Sequence, residues 1–241
     1  MNFYGKSDVG RRRTNNQDSY NITVLPDGAY LCTVCDGMGG ANGGNIASDI
    51  ALRVYTDRVV TGYTPGTHDT ELLRQAVNAA NTAVYEAAKA DSSLEGMGTT
   101  LVSLLITDDN HATVINVGDS RLYSLSEGHI RQVTRDHSYV QYLVDIGQIS
   151  VMEAKKATIR NIIIRSVGNE PETNPDIFSL DLQKDSYLLL CSDGLTNCVT
   201  NEFINDTVSG TTSLNEAVDA LIAAANENGG PDNITAVLGK L

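Results

Sequence analysis

The sequence predicts an α+β fold, with largely antiparallel sheets covered by helices. Three features carry this expectation. Apolar runs of strand length follow one another in blocks, the helical stretches are inserted in pairs, and short turn signals join consecutive strands. A doubly wound parallel sheet would instead need strands and helices to alternate.

Strand-like alternation appears first at Tyr20, Ile22 and Val24, followed by an apolar run over residues 29–35. Two long amphipathic helices come next. One carries Ile46, Ala47, Ile50, Ala51, Val54 and Tyr55 on a single face, and the other Leu72, Leu73, Ala76, Val77, Ala80 and Val84. A block of strands is expected over residues 99–133, with turns at Asp108-Asp109-Asn110, Gly118-Asp119-Ser120 and Glu127-Gly128. Residues 139–158 read as two short helices around Gly147. Further strands are expected at 177–182 and 187–191. Ser213 and Glu216 form a capping box for a late helix, Asn228-Gly229-Gly230-Pro231 stops it, and the last strand covers 234–238.

The 241 residues contain no Pro/Ser linker or low-complexity tract, so one domain over 1–241 is expected. Seventeen Lys plus Arg against 30 Asp plus Glu give a net charge of −13, which disfavours nucleic acid and anionic membrane surfaces as partners. The only basic run is Arg11-Arg12-Arg13. No apolar stretch has the ~18–20 residues of a membrane span, and residues 1–13 lack a signal-peptide pattern, so a cytoplasmic location is expected. Cys32 and Cys35 should face opposite sides of a strand, and Cys191 and Cys198 have no metal-site spacing; all four read as small apolar residues.

One local theme recurs. An apolar strand ends in a small residue and then an aspartate at a tight turn: Asp36 in Thr33-Val34-Cys35-Asp36-Gly37, Asp119 in Asn116-Val117-Gly118-Asp119-Ser120, and Asp193 in Cys191-Ser192-Asp193-Gly194. Asp232 stands just before the last strand, and Asp18 just before an early one. Any one of these, taken alone, reads more readily as a turn residue bonding its own backbone. If the strands are neighbours, however, the five carboxylates converge, and oxygen ligands without a His or Cys cluster suit hard divalent ions such as Mg²⁺ or Mn²⁺.

Competing motifs fail on spacing. The stretch Gly37-Met38-Gly39-Gly40-Ala41-Asn42-Gly43-Gly44 lacks the Lys-Ser/Thr ending of a P-loop and the third glycine of a dinucleotide fingerprint. Asp36 is followed two places later by Met38, not by the second aspartate of a haloacid-dehalogenase site. His68, His111, His129 and His137 show no metal-ligand spacing, and no Gly-x-Ser-x-Gly elbow occurs.

Eight short motifs occur in order: Ser7-Asp8-Val9-Gly10 with Arg13, Asn16-Gln17-Asp18, Asp36-Gly37-Met38-Gly39-Gly40, Gly98-Thr99-Thr100, Asn116-Val117-Gly118-Asp119-Ser120-Arg121, Asp136-His137-Ser138, Ser192-Asp193-Gly194-Leu195 and Asp232-Asn233-Ile234-Thr235. In these the chain resembles the bacterial metal-dependent protein phosphatases, the type 2C Ser/Thr phosphatase family, from about residue 3 to residue 239. The resemblance implies a four-layer α-β-β-α sandwich: two central antiparallel β-sheets flanked by helix pairs, with a flap subdomain at about 145–168 that includes Gln148, Ile149, Met152, Arg160 and Asn161.

It further implies hydrolysis of phosphoserine and phosphothreonine on proteins by a water bridging two Mn²⁺ or Mg²⁺ ions. Asp36 would bridge the pair, Gly37 would complete the second site through its carbonyl, and Asp193 and Asp232 would bind the first ion. Asp18 would reach the cluster directly or through water. Asp119, with Asp193, would hold a third, weaker ion. Arg13 would grip the substrate phosphate. The implied partners are phosphoproteins modified by a cognate Ser/Thr kinase, with the phosphatase acting as a monomer.

Two positions depart from the pattern. Gln17 stands where many relatives have a glutamate, and Met38 where eukaryotic relatives have a histidine proposed as the acid for the leaving group. A catalytically silent phosphoprotein-binding domain and a small-molecule phosphatase are the alternative readings.

Overall fold

The computed structural model describes the chain except residues 68–69, 108–110, 155–156, 158 and 160, and gives residues 40–42 as helix backbone only. His68, the expected turn at 108–110, Thr158 and Arg160 therefore lie outside the described residues.

Successive elements are β1 (Asn2–Asp8), β2 (Asp18–Val24), β3 (Tyr30–Met38), α1 (Gly40–Gly62) and α2 (Thr70–Ala90). A single 3-10 turn at Ser92–Leu94 leads to β4 (Gly98–Thr99), β5 (Leu101–Ile106), β6 (His111–Val117), β7 (Arg121–Ser126) and β8 (His129–Gln132). Then come α3 (Tyr139–Asp145), α4 (Val151–Ala154), β9 (Asp176–Asp181), β10 (Tyr187–Cys191), α5 (Asp193–Thr196), α6 (Asn201–Gly210), α7 (Leu214–Glu227) and β11 (Ile234–Lys240).

One sheet has the order β1-β11-β10-β7-β8. The other has β2-β3-β5-β6-β9, with β4 pairing the end of β3. Every strand pair is antiparallel. Alternation along β5 explains the layering. Leu101 and Leu105 face α1 and α2, whereas Val102, Leu104 and Ile106 face the other sheet, where they meet Leu122, Leu188, Leu190 and Val237. On the far side, Tyr123, Leu189 and Leu238 pack against Val218, Leu221 and Ile222 of α7. The result is the expected four-layer α-β-β-α sandwich. Strands buried on both faces read as nearly continuous apolar runs, and each fully buried Leu or Val stabilises by ~1.5–3 kcal/mol. Cys32 and Cys35 do face opposite sides of β3, one into the layer between the sheets and the other onto α1.

Ser138, Thr200 and Ser213 cap α3, α6 and α7 by accepting from the backbone N–H three residues on. Gly147, at φ +72°, separates the two short helices of the segment 139–154. Three elements were absent from the pattern reading: β1, α5 and α6. Among the described residues, no helix is long and apolar enough to cross a membrane.

Candidate metal centre

Antiparallel register places Asp18 directly opposite Asp36 on β2 and β3. Asp18 is the first residue of β2 rather than a residue before it. The end of β3 is clamped by its neighbour: Asp36 N donates to Thr100 Oγ1 (2.9 Å), while Thr100 N and Thr99 Oγ1 each donate to the Asp36 carbonyl (2.9 Å). Asp119 follows β6 on the same sheet. Asp193 opens α5 after β10, and Asp232 precedes β11, both from the other sheet.

The two sheets are joined at this edge by Asp18 itself. Its Oδ2 accepts from Ser192 Oγ (2.7 Å) and Thr235 Oγ1 (2.6 Å), and Ser192 N donates to Thr235 O (3.1 Å). Asp18 is thereby fixed by residues 174 and 217 positions away.

The electrostatic influence of these carboxylates is greatest at Asp36, which the other four all reach. Burial, then the charges of Asp18, Asp193, Asp119 and Asp232, push the Asp36 carboxyl well above its ordinary value. Burial first, with Asp193 and Asp232 adding, raises Asp18 to about 7 against its hydrogen bonds. Burial and Asp193 raise Asp119 to about 8, and burial with Asp232 raises Asp193. Arg121 counteracts both of these last shifts from its paired position beside Asp136. Asp193 Oδ2 accepts a hydrogen bond from Asn197 Nδ2 (2.9 Å).

These are groups that need added positive charge, whether a proton or a cation, to coexist. Among the described residues, no three His, Cys, Asp or Glu already stand around one point as a finished metal cage. The donors present nonetheless fit a hard divalent ion: they are all oxygens, Asp18 and Asp119 are buried and the other three half-buried, and Asp18 Oδ1 is a buried atom with no protein partner.

The glycines beside Asp36 serve backbone packing. A side chain at Gly37 would meet the Gly44 carbonyl at 2.0 Å, and Gly44 lies against the Gln17 side-chain amide, so the head of α1 seats directly on the end of β3. Gly37 N donates to Gln17 O (3.0 Å), and Gln17 N in turn donates to Asn233 Oδ1 (2.8 Å).

Arg13 reaches the same cleft, donating from Nη2 to Asp232 Oδ2 at 2.9 Å, whereas among the described residues no ion pair is found at Arg11 or Arg12; all three arginines are exposed. A groove of about 450 Å³ runs from Asp119 and Asp193 past Val140, Val144, Val151 and Asn161, so part of the 145–168 segment borders the cleft. Sequence reasoning gave no role to Thr100, Ser192, Asn197 or Thr235, although all but Asn197 lie inside the motifs it marked.

The model for protein phosphatase 2C matches residues 8–239. Serine/threonine phosphatase stp of Listeria welshimeri is 37% identical over 235 residues, covering 97% of this chain and 93% of its own. Stp1 from Staphylococcus aureus, a solved serine/threonine phosphatase, superposes with a TM-score of 0.93 at 34% identity, over 99% of this chain and 94% of that one. The catalytic domain of the serine/threonine protein phosphatase PstP, solved in complex with two manganese ions, gives a TM-score of 0.86 at 32% identity over 98% of this chain and 96% of that one. Motif order, sandwich architecture and near-complete coverage agree: the chain belongs to the protein phosphatase 2C family.

Proposed function

We propose that this protein is a metal-dependent phosphatase of phosphoserine and phosphothreonine on proteins, working as a single domain over residues 1–241 with a flap at about 145–168. What supports this reading is that the charges of Asp18, Asp119, Asp193 and Asp232, from both sheets, all bear on Asp36, with Arg13 paired to Asp232. We assign Mn²⁺ or Mg²⁺ to this cluster. Asp36 and the Gly37 carbonyl, with Asp193 and Asp232, would hold a pair, Asp18 would support it, and Asp119 with Asp193 would hold a third, weaker ion. Bound there, such ions supply Lewis acidity and lower the pKa of water toward neutrality.

The chain's own residues then supply position and charge. Arg13 has a planar fork that can move from one Asp232 oxygen to two phosphoryl oxygens, a geometry suited to a bidentate clamp. Ser192 and Thr235 keep Asp18 from turning away, and Asn197 orients Asp193. Met38, which ends β3, has no proton to give a leaving alkoxide. The groove beside the flap joins apolar Val140, Val144 and Val151 to acidic Glu202, which suits polypeptide flanking the phosphoresidue better than a small anionic metabolite. We place its substrates among phosphoproteins made by a cognate Ser/Thr kinase, and the enzyme in the cytoplasm as a monomer; four free thiols suit a reducing compartment.

The test is phosphate release from a phosphothreonine peptide with Mn²⁺. No release with any divalent ion, while phosphoprotein binding persists, would mean a silent binding domain. Faster release from sugar phosphates would mean a small-molecule phosphatase.

A further inference from the structure

We infer that His137 is a positioning residue: its ring holds the backbone of Gly118 and so aims Asp119 into the metal cleft, an inference that rests on the reading of Asp119 as a ligand. His137 is buried, and both backbone polar groups of Gly118 bond to it. Gly118 N donates to His137 Nδ1 (3.1 Å), and His137 N donates to Gly118 O (2.9 Å). Gly118 sits at φ +106°, and a side chain there would strike Thr100 Cγ2 at 2.6 Å. Gly118 itself has no side chain; Asn116 Nδ2 also donates to its carbonyl (3.3 Å) and Ser120 Oγ bonds Thr100 Oγ1 (2.7 Å), but its N–H is held by the His137 ring.

An acceptor role at Nδ1 fixes the proton on Nε2. That atom lies 3.1 Å from Asp176 Oδ2, which accepts it. Arg165 Nη1, 3.0 Å from Nε2, can only donate, and it does so to Asp176 Oδ1 (2.8 Å) and Asn174 O (3.0 Å). Asp176 therefore takes both donors and leaves the Nδ1 lone pair for Gly118. His137 also ties the turn to the base of the flap. Ile164 N donates to His137 O (2.9 Å), and Tyr139 N, at the start of α3, donates to Ile162 O (2.8 Å).

The test uses the full chain and two variants that split the ring's functions. His137→Asn keeps an acceptor near the Nδ1 position, and His137→Gln keeps a polar atom near Nε2 only. Nitrogen NMR of the parent should show the neutral Nε2–H form. Exchange of the Gly118 amide should quicken by about tenfold in His137→Gln, the worth of one hydrogen bond, and change by less than about threefold in His137→Asn. Calorimetric Mn²⁺ titration should show the weakest site loosened by a similar factor in His137→Gln and restored in His137→Asn. A proton on Nδ1 in the parent, or equal amide exchange in the two variants, would overturn the inference. A parent that binds no third Mn²⁺ while the amide pattern holds would instead remove the reading of Asp119 as a ligand and leave His137 as an anchor of the turn.

Discussion

Asp18→Asn should stabilise the metal-free protein and weaken its response to metal. Asp18 is only 8% exposed, and its carboxyl is raised from 3.8 to about 7, chiefly by burial. Ionising it in the folded state at about pH 8 therefore costs about 4 kcal/mol. Asparagine removes that charge while its carbonyl can still accept from Ser192 and Thr235. Its NH₂ group would stand where Oδ1 has no protein partner, at a cost of about 1–3 kcal/mol. The net gain is about 1–3 kcal/mol at pH 8. The sign with pH follows from the raised value: the penalty on the parent is absent below pH 3.8 and grows as pH rises through about 7, so the gain disappears toward pH 4. With Mn²⁺ at about a hundred times its dissociation constant, the parent should gain ~2.7 kcal/mol, and the variant much less. Urea denaturation at pH 8 and pH 5, with EDTA or Mn²⁺, reads both effects. A variant that is less stable than the parent in EDTA at pH 8, or that keeps the parent's full gain with Mn²⁺, would refute the reasoning.

Chelation by EDTA should abolish phosphate release and Mn²⁺ should restore it, and Asp36→Asn should lose most of the activity that Mn²⁺ restores to the parent; full turnover in metal-stripped protein would end the two-metal reading. Arg13→Ala should lower kcat/KM by about one to two powers of ten, from a lost charged hydrogen bond of ~1.5–3 kcal/mol, while Arg11→Ala changes little. Steady-state kinetics on one phosphopeptide compares them, and equal losses would point to a diffuse basic patch. Arg121 grips Asp136 through Nε (2.9 Å) and Nη2 (2.6 Å), so Arg121→Met should destabilise by up to about 3–5 kcal/mol by leaving a largely buried carboxylate without its cation and with only the Gln132 amide (2.8 Å) as a side-chain partner. Adding Asp136→Leu should recover most of that loss in thermal unfolding, and a double variant as unstable as the single one would contradict the pairing.

How much of this was legible in the sequence depended on how local each signal is. Period-two alternation at Tyr20, Ile22 and Val24, helical spacing in α2 and the Ser213 cap are decided within a few residues, and the structure agrees at each. β1 carries no such signal: it is an edge strand of half-buried residues, and Gly5 makes sense only because the Tyr20 ring would lie 2.5 Å from a side chain there. α6 turns only Ile204 and Val208 fully inward, too short a stripe to read. At the site, the chemical type of each aspartate and its place at a strand end were visible, but its partners were not. Asp18 faces Asp36 because of strand register, and it is held by Ser192 and Thr235 because β10 and β11 end at the same rim. The glycines between Asp36 and α1 show the same division: they look like a failed nucleotide motif until the approach of Gly37 to Gly44 is known. A sequence can therefore state which atoms are available to bind an ion, whereas it is topology that brings the charges of Asp18, Asp119, Asp193 and Asp232 to bear on Asp36.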